Sequence, residues 1–288
     1  MSGFIAGYIP LLDLYLIHLG LAFSQYIVLR AGVFSLATAA LAGIGAYTAG
    51  IFAVKLGMHP VLGVLAGTVM GMAAAIVLSI PLARLRGVYQ AIATVAFIQI
   101  FVSLNIYAEP ITGGALGLNG IPKTVGTGIL AIAAIAATYV IWAVERGRLG
   151  RAFNAIRQDE AVAASLGISI VRHQMLAFAL SGALAGLFGA LEAYHAYALD
   201  PNQFGFHLLI TVLSYVILGG RNSVIGPVVG TAILIILPEL ARFLAEYRMV
   251  IYGAMLIIVI NYMPKGIADT VRDAVRAGRL KRRGEDPA

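Results

Sequence analysis

Hydrophobic positions along this chain fall in long continuous stretches and do not alternate with polar ones. Stretches near 8–29, 33–54, 61–83, 88–107, 128–144, 174–197, 204–220, 224–243 and 248–263 are apolar over most of their length and are separated by short polar breaks. A helix that crosses a bilayer needs about 20 mostly apolar residues, so the pattern predicts about nine spans, within a range of eight to ten. The 204–220 stretch is short and ends in Gly219-Gly220, so it either spans or turns back as a re-entrant segment. Without water, backbone groups must pair internally, as helices or as a closed barrel. Barrel strands would show alternating segments of about ten residues. The pattern therefore predicts an all-α polytopic transmembrane helix bundle.

Composition agrees: 60% of the residues are hydrophobic and 11% charged, against roughly 25% charged in soluble domains. The chain has no cysteine, which excludes disulfides, thiolate metal sites and cysteine nucleophiles. His18, His59, His173, His195 and His207 are scattered with no HxxxH or HExxH pair, so no metal site is expected. No Lys or Arg precedes Arg30, and Asp13 interrupts the first apolar run. The N-terminus therefore reads as the lead into the first span and not as a cleavable signal.

The charges give the spans a direction. With the C-terminus in the cytoplasm, nine spans put the N-terminus outside. Sixteen of the 20 Lys and Arg residues then face the cytoplasm, and only Lys55, Lys123, Arg242 and Arg248 face outward. This is the asymmetry of the positive-inside rule. The acids split seven inside and six outside, giving +9 and −2, which makes the net charge of +7. The basic balance thus reflects topology and contact with anionic lipid, with no nucleic-acid partner implied.

Small and polar residues inside the spans carry the next layer. Gly63, Gly67 and Gly71 form a double GxxxG; Gly182 and Gly186, and Gly226 and Gly230, repeat it. Such spacing lets helix backbones approach closely. Ser35, Thr38, Ala42 and Gly45 form a small-polar stripe on the second span. Gln90 and Thr94 share a face of the fourth, which also carries Gln99 and Asn105. Polar side chains are costly in lipid, so these either hydrogen-bond between helices or line a translocation path. Glu192, well inside its span, is either a functional carboxylate or one that snorkels to the outer surface. The outer loop Thr112-Gly113-Gly114 and the glycines that follow it form either an ordinary turn or a set of exposed N–H groups able to hold a carboxylate.

The segment 145–173 is the longest polar interruption between spans, yet it has helical apolar periodicity at Ala152, Ala155, Ile156, Val162, Ala163, Leu166 and Ile170. Asp159 and Glu160 precede an Ala-rich turn, and Gly167 suits a left-handed C-cap. An amphipathic helix at a membrane surface lies in the headgroups or docks into a groove of a soluble partner.

Here the residues resemble a known family. EAVAASLG from Glu160 to Gly167 is similar to the EAA-type cytoplasmic loop of ABC importer permeases, with Glu160, Ala161, Ala164 and Gly167 at matching positions. GRAFNAIRQDE from Gly150, LAFALSGALAGLFGAL from Leu176 and RGVYQAIATVAF from Arg86 resemble the M-type (LivM-like) permease subunits of branched-chain amino acid ABC importers. So do TGGALGLNGIP from Thr112, LGGRNSVIGPVVG from Leu218 and GVFSLATAALAGIGAY from Gly32. The resemblance covers most of residues 15–265.

The resemblance implies a single permease domain over 1–288, with a coupling loop at 145–173 and a basic cytoplasmic tail at 265–288, in the bacterial inner membrane. It implies a second homologous permease subunit, two cytoplasmic ABC ATPases and a periplasmic solute-binding protein. It places Glu160, Ala161, Ala164 and Gly167 at the ATPase, with Arg151 and Arg157 giving charge contacts to partner or lipid. Ser35, Thr38, Gln90, Thr94, Thr112, Gly113, Gly114 and Glu192 are the residues expected at the path or its outer gate. No Gly-Lys pair occurs, so there is no phosphate-cradling GxxxxGK[ST] loop. No enzyme activity and no cofactor are expected in this chain, with ATP and Mg held by the partner ATPases. Permeases for urea or short-chain amides are the substrate alternative. An ion-gradient transporter, which would favour acids near the midplane, is the alternative of a different class.

Overall fold

Nearly every apolar stretch becomes a helix, because only a helix satisfies its own backbone in lipid. In the computed structural model, which describes residues 2–240, 253, 266–268 and 270, the helices are α1 (Ser2–Arg30), α2 (Thr38–Val54), α3 (Pro60–Leu82), α4 (Val88–Tyr107), α5 (Glu109–Thr112), α6 (Thr127–Arg146), α7 (Arg148–Gln158), α8 (Glu160–Ser165), α9 (Ile170–Ala196), α10 (Phe206–Gly219) and α11 (Ile225–Leu240). Six segments are long and apolar enough to cross a membrane: Tyr8–Arg30, Pro60–Leu82, Val88–Tyr107, Thr127–Arg146, Ile170–Ala196 and Pro201–Gly219. Thr38–Val54 and Ile225–Leu237 are shorter apolar helices. The protein is an all-α polytopic membrane bundle. The expected stretch 248–263 and nearly all of the tail 265–288 lie outside the described residues. Met1–Leu213 and Ser214–Ala288 form two compact units.

Within the first unit the connections collect at two ends. At one, Arg30 meets Glu145 at 3.0 Å and Arg86 meets Glu160 at 3.7 Å. At the other, strands β1 (Leu118–Asn119) and β2 (Ala198–Leu199) pair antiparallel, with Leu118 opposite Leu199. There Ile121 N–H also donates to the Tyr197 carbonyl at 3.0 Å, and Lys55 Nζ donates to the Pro110 carbonyl. The first end carries Arg30, Arg84, Arg86, Arg146, Arg148, Arg151, Arg157 and Arg172; the second carries Lys55 and Lys123.

Two boundaries differ from the sequence reading. The expected span 33–54 is helical only from Thr38, and residues 33–36 form a non-helical segment. Gly32 ends α1 with φ +79°. Helix α9 begins at Ile170, one turn earlier than expected, so less of 145–173 is loop. Near the 204–220 stretch, a 3₁₀ turn (Pro201–Phe204) precedes the 14-residue α10. At 1.5 Å per residue α10 alone is about 21 Å long, and the turn lengthens the segment toward a full crossing.

The centre of the first unit is the crossing of α2, α3 and α9, and it is made of glycine. Gly45, Gly63, Gly67, Gly71, Gly182, Gly186 and Gly189 are all buried. A Cβ added at Gly67 would lie 2.6 Å from the Gly45 carbonyl oxygen, and one at Gly186 2.6 Å from that of Gly67. A Cβ at Gly45 would strike the Gly186 carbonyl, which closes the triangle. One turn further along, a Cβ at Gly71 would lie 2.6 Å from the Gly182 carbonyl. The glycine repeats read from the sequence are thus the seams at which three backbones touch. In the second unit, Gly219, Gly226 and Gly230 make the same kind of contact between α10 and α11.

Because the obstructing atoms are backbone, no rotamer relieves the clash. Gly186→Val is therefore expected to lower stability by more than the about 1–3 kcal/mol typical of overpacking, read as thermal unfolding in detergent. Gly128→Ala on α6, where an added Cβ meets nothing within 4 Å, should leave the transition unchanged or raise it slightly, since alanine favours a helix by up to about 1 kcal/mol.

Candidate functional site

The segment between α6 and α9 folds as two short helices at the basic end of the first unit. Helix α7 buries one face, formed by Gly150, Ala152, Phe153 and Ile156. The Phe153 ring stands edge-on to His173, with centroids 6.4 Å apart. Asp159 is extended (φ −158°) and separates α7 from α8. Its Oδ1 accepts from the N–H groups of Ala161 at 2.8 Å and Val162 at 3.0 Å, a side-chain N-cap. Gly167 (φ +80°) ends α8. Gly167 N–H donates to the Ala164 carbonyl at 3.0 Å, and Ile168 N–H to that of Ala163 at 3.1 Å. This is a Schellman closure, the end that Gly167 marked in the sequence, whereas the break at Asp159 divides a stretch whose periodicity read as one helical pattern.

The pair presents an outward surface. Ala163 is buried, but Ala161, Ala164, Ser165 and Gly167 are exposed, Val162 is 55% exposed and Leu166 72%. Arg151 is exposed and donates to the Arg146 carbonyl at 3.2 Å, while Arg157 is half-buried with its backbone against Gly32. Glu160 is half-buried and pairs with the exposed Arg86. A buried polar group anchors the base: Arg30 and the Tyr26 hydroxyl both donate to Glu145 Oε1, at 3.0 and 3.1 Å.

The structure also gathers Ser35, Thr38, Gln90 and Thr94, all buried, at the non-helical segment 33–36. Phe34 N–H donates to Gln90 Oε1 at 3.3 Å, and Leu36 N–H to Thr94 Oγ1 at 3.0 Å. Gln25 Nε2 donates to the Ser35 carbonyl and Thr38 Oγ1 to Gln25 Oε1, each at 2.7 Å. Non-helical backbone at membrane depth needs protein partners of this kind, which explains why α2 starts late. Gln25 is the member that the sequence reading missed; a glutamine inside an apolar run was its only signal. A cavity of about 140 Å³ joins the two groups, lined by Gly32, Arg86, Gln90, Glu160 and Gln174 among others.

Thr112, Gly113, Gly114 and Glu192 lie at the opposite end. Thr112 Oγ1 accepts from Gly114 N–H at 3.3 Å and donates to the Asn105 carbonyl. The N–H groups of Gly113 and Gly117 bond the carbonyls of Glu109 and Gly114, so this loop holds itself to α4. Glu192 Oε1 accepts from Gln203 Nε2, and its other carboxylate oxygen is buried without a partner. Asp13 and His195, far apart in sequence and not paired in the reading of it, approach to 3.7 Å. Among the described residues no group of three or more His, Cys, Asp or Glu is arranged to hold a metal.

The profile of the family described as branched-chain amino acid transport system / permease component matches residues 10–260. The chain is 30% identical over 255 residues to the high-affinity branched-chain amino acid transport system permease protein LivM of Salmonella typhimurium, covering 77% of this chain and 60% of that protein. It is 28% identical over 197 residues to permease protein LivH of the same organism, covering 64% of each. It is 27% identical over 187 residues to the ribose import permease protein RbsC of Bacillus subtilis, covering 59% of this chain and 58% of that one. The chain thus spans less than two thirds of the length of these relatives. No solved structure matches it.

The two ends of α8 are expected to be separable. Asp159→Ala should cost about 1 kcal/mol of helix stability and speed hydrogen exchange at Ala161 and Val162. Gly167→Val should cost about 1–2 kcal/mol through its left-handed backbone and speed exchange at Ile168.

Proposed function

The chain belongs to the branched-chain amino acid transport system permease family, and from that premise we propose that it is a permease subunit of an ATP-driven importer of branched-chain amino acids in the bacterial inner membrane. The observation that carries this reading is the exposed Val162–Leu166 face of α8 on a chain with no nucleotide-binding loop. An apolar patch held out at a basic membrane end suits the groove of a soluble partner. That partner is a pair of cytoplasmic ABC ATPases, which hold ATP and Mg. The likeness to LivH, itself a permease protein, supports pairing with a second homologous permease. A periplasmic binding protein delivers the solute.

The charge asymmetry supports a cytoplasmic position for the basic end and, by the sequence count of spans, an outside N-terminus and a cytoplasmic C-terminus. Closure of the ATPases moves α7 and α8. Glu160 and Arg157 transmit the movement, through Arg86 and Gly32, to the non-helical segment held by Ser35, Thr38, Gln90 and Thr94. Such a push selects between outward-open and inward-open states by its differential contact with each. Thr112, Gly113, Gly114 and Glu192 form the outer mouth.

A tagged chain isolated from its host membranes should carry two nucleotide-binding subunits with it. Leu166→Glu replaces buried apolar contact worth about 1.5–3 kcal/mol with a charge, and should weaken ATPase association at least about tenfold while insertion is unchanged. Undiminished association would remove α8 from the interface.

A further inference from the structure

Helix α4 has a second polar face that the buried network does not use. Its inward side (Gln90, Thr94, Ile98, Phe101 and Asn105) is buried against the first unit. On the opposite side Ile92, Ala96, Gln99 and Ser103 follow one another at intervals of three and four residues and are all exposed. Gln99 and Ser103 have no hydrogen-bond partner among the described residues. By contrast Thr48, Thr68 and Thr138, half-buried on other apolar helices, each donate to the carbonyl four residues earlier, at 2.7, 2.8 and 2.7 Å.

The depth of this face can be read from α4 itself. Tyr89 and Tyr107, 72% and 86% exposed, stand near its two ends, where aromatic belts mark the membrane interfaces. The 18 residue steps from Tyr89 to Tyr107 rise about 27 Å, close to the roughly 30 Å of the hydrocarbon core. Gln99 lies near the middle of that interval. A carboxamide and a hydroxyl facing lipid at mid-depth would forfeit their hydrogen bonds, and polar groups at that depth face protein or water.

We propose that the Gln99–Ser103 face of α4 lines the water-filled solute path and holds a zwitterionic amino acid there. This rests on the importer reading and names the contact surface within it. A carboxamide both donates and accepts, as does a hydroxyl, so the pair can bond an α-carboxylate and an α-ammonium without adding charge to the membrane. Ile92, exposed on the same face, and Ile100 and Leu104 beside it offer an aliphatic side chain apolar contact. The path thus runs along the opposite side of α4 from Gln90 and Thr94, which hold the non-helical segment.

The absence of native cysteine from the chain makes the test direct. Gln99→Cys and Ser103→Cys are introduced singly, and the assembled transporter is reconstituted in proteoliposomes. It is treated with a charged, membrane-impermeant methanethiosulfonate, and labelling is read on this chain after electrophoretic separation. Ile135→Cys on α6 and Val69→Cys on α3, exposed positions on other helices, are the references. The thiolate is the reactive form and needs water, so the two α4 positions should label at least about tenfold faster than the references, and leucine with its binding protein should slow them. Labelling as slow as the references, in variants that still carry out ATP-driven uptake, would overturn the proposal. Fast labelling that leucine leaves unchanged would overturn the solute contact. If Gln99→Cys fails to assemble, Ala96→Cys reads the same face. Absence of ATP-driven uptake by the unsubstituted complex would instead count against the importer reading.

Discussion

The contact between the backbones of α2, α3 and α9 is the constraint on which the rest of the first unit depends. Lipid tails are as apolar as the side chains, so helices gain little by hiding from them, and association relies on close packing. Gly45, Gly67 and Gly186 allow three helix axes to approach until carbonyls stand where side chains would be. Helix α1 joins the same centre, with Gly20 lying under the Phe188 ring of α9. Tyr194 closes it at one end, its hydroxyl donating to the Ala49 carbonyl at 3.2 Å.

A rigid centre lets the backbone be irregular beside it. The non-helical segment after Gly32 exposes N–H and C=O groups that lipid would leave unpaired. Gln25, Gln90 and Thr94 supply the partners. The same side chains tie that segment to α1 and α4, and the Arg86–Glu160 pair ties the start of α4 to α8. Polar contacts of this kind exchange partners more readily than a glycine seam deforms. Under the proposed function, movement delivered at α7 and α8 would have a softer route through the non-helical segment than through the helix crossing.

Much of this was legible in the sequence. Continuous apolar runs located the spans, four-residue glycine spacing marked the seams, and Gly167 gave the C-terminal end of α8. What hydropathy could not show is where an apolar stretch stops being helical. Residues 33–37 are as apolar as the helix they precede, and only the distant Gln90 and Thr94 make the break affordable. The Ser24–Ser181 and Asp13–His195 contacts were hidden for the same reason, since each joins residues far apart in the chain. The glycine loop after Thr112 read either as an ordinary turn or as a set of exposed N–H groups, and in the fold those of Gly113, Gly114 and Gly117 are bonded within the loop. Exposure separated the two polar faces of α4, and periodicity alone had singled out the buried one.

The proposed function requires that this bundle move solute only when work enters from partner ATPases at α7 and α8. Leucine uptake into proteoliposomes tests it most directly, comparing the chain with its partner permease alone against the complex that also carries the ATPases, with binding protein on the outer side. Uptake is predicted only with the ATPases present and ATP inside, and should be insensitive to ionophores that collapse ion gradients. Concentrative uptake without the ATPases, abolished by an ionophore, would contradict the account.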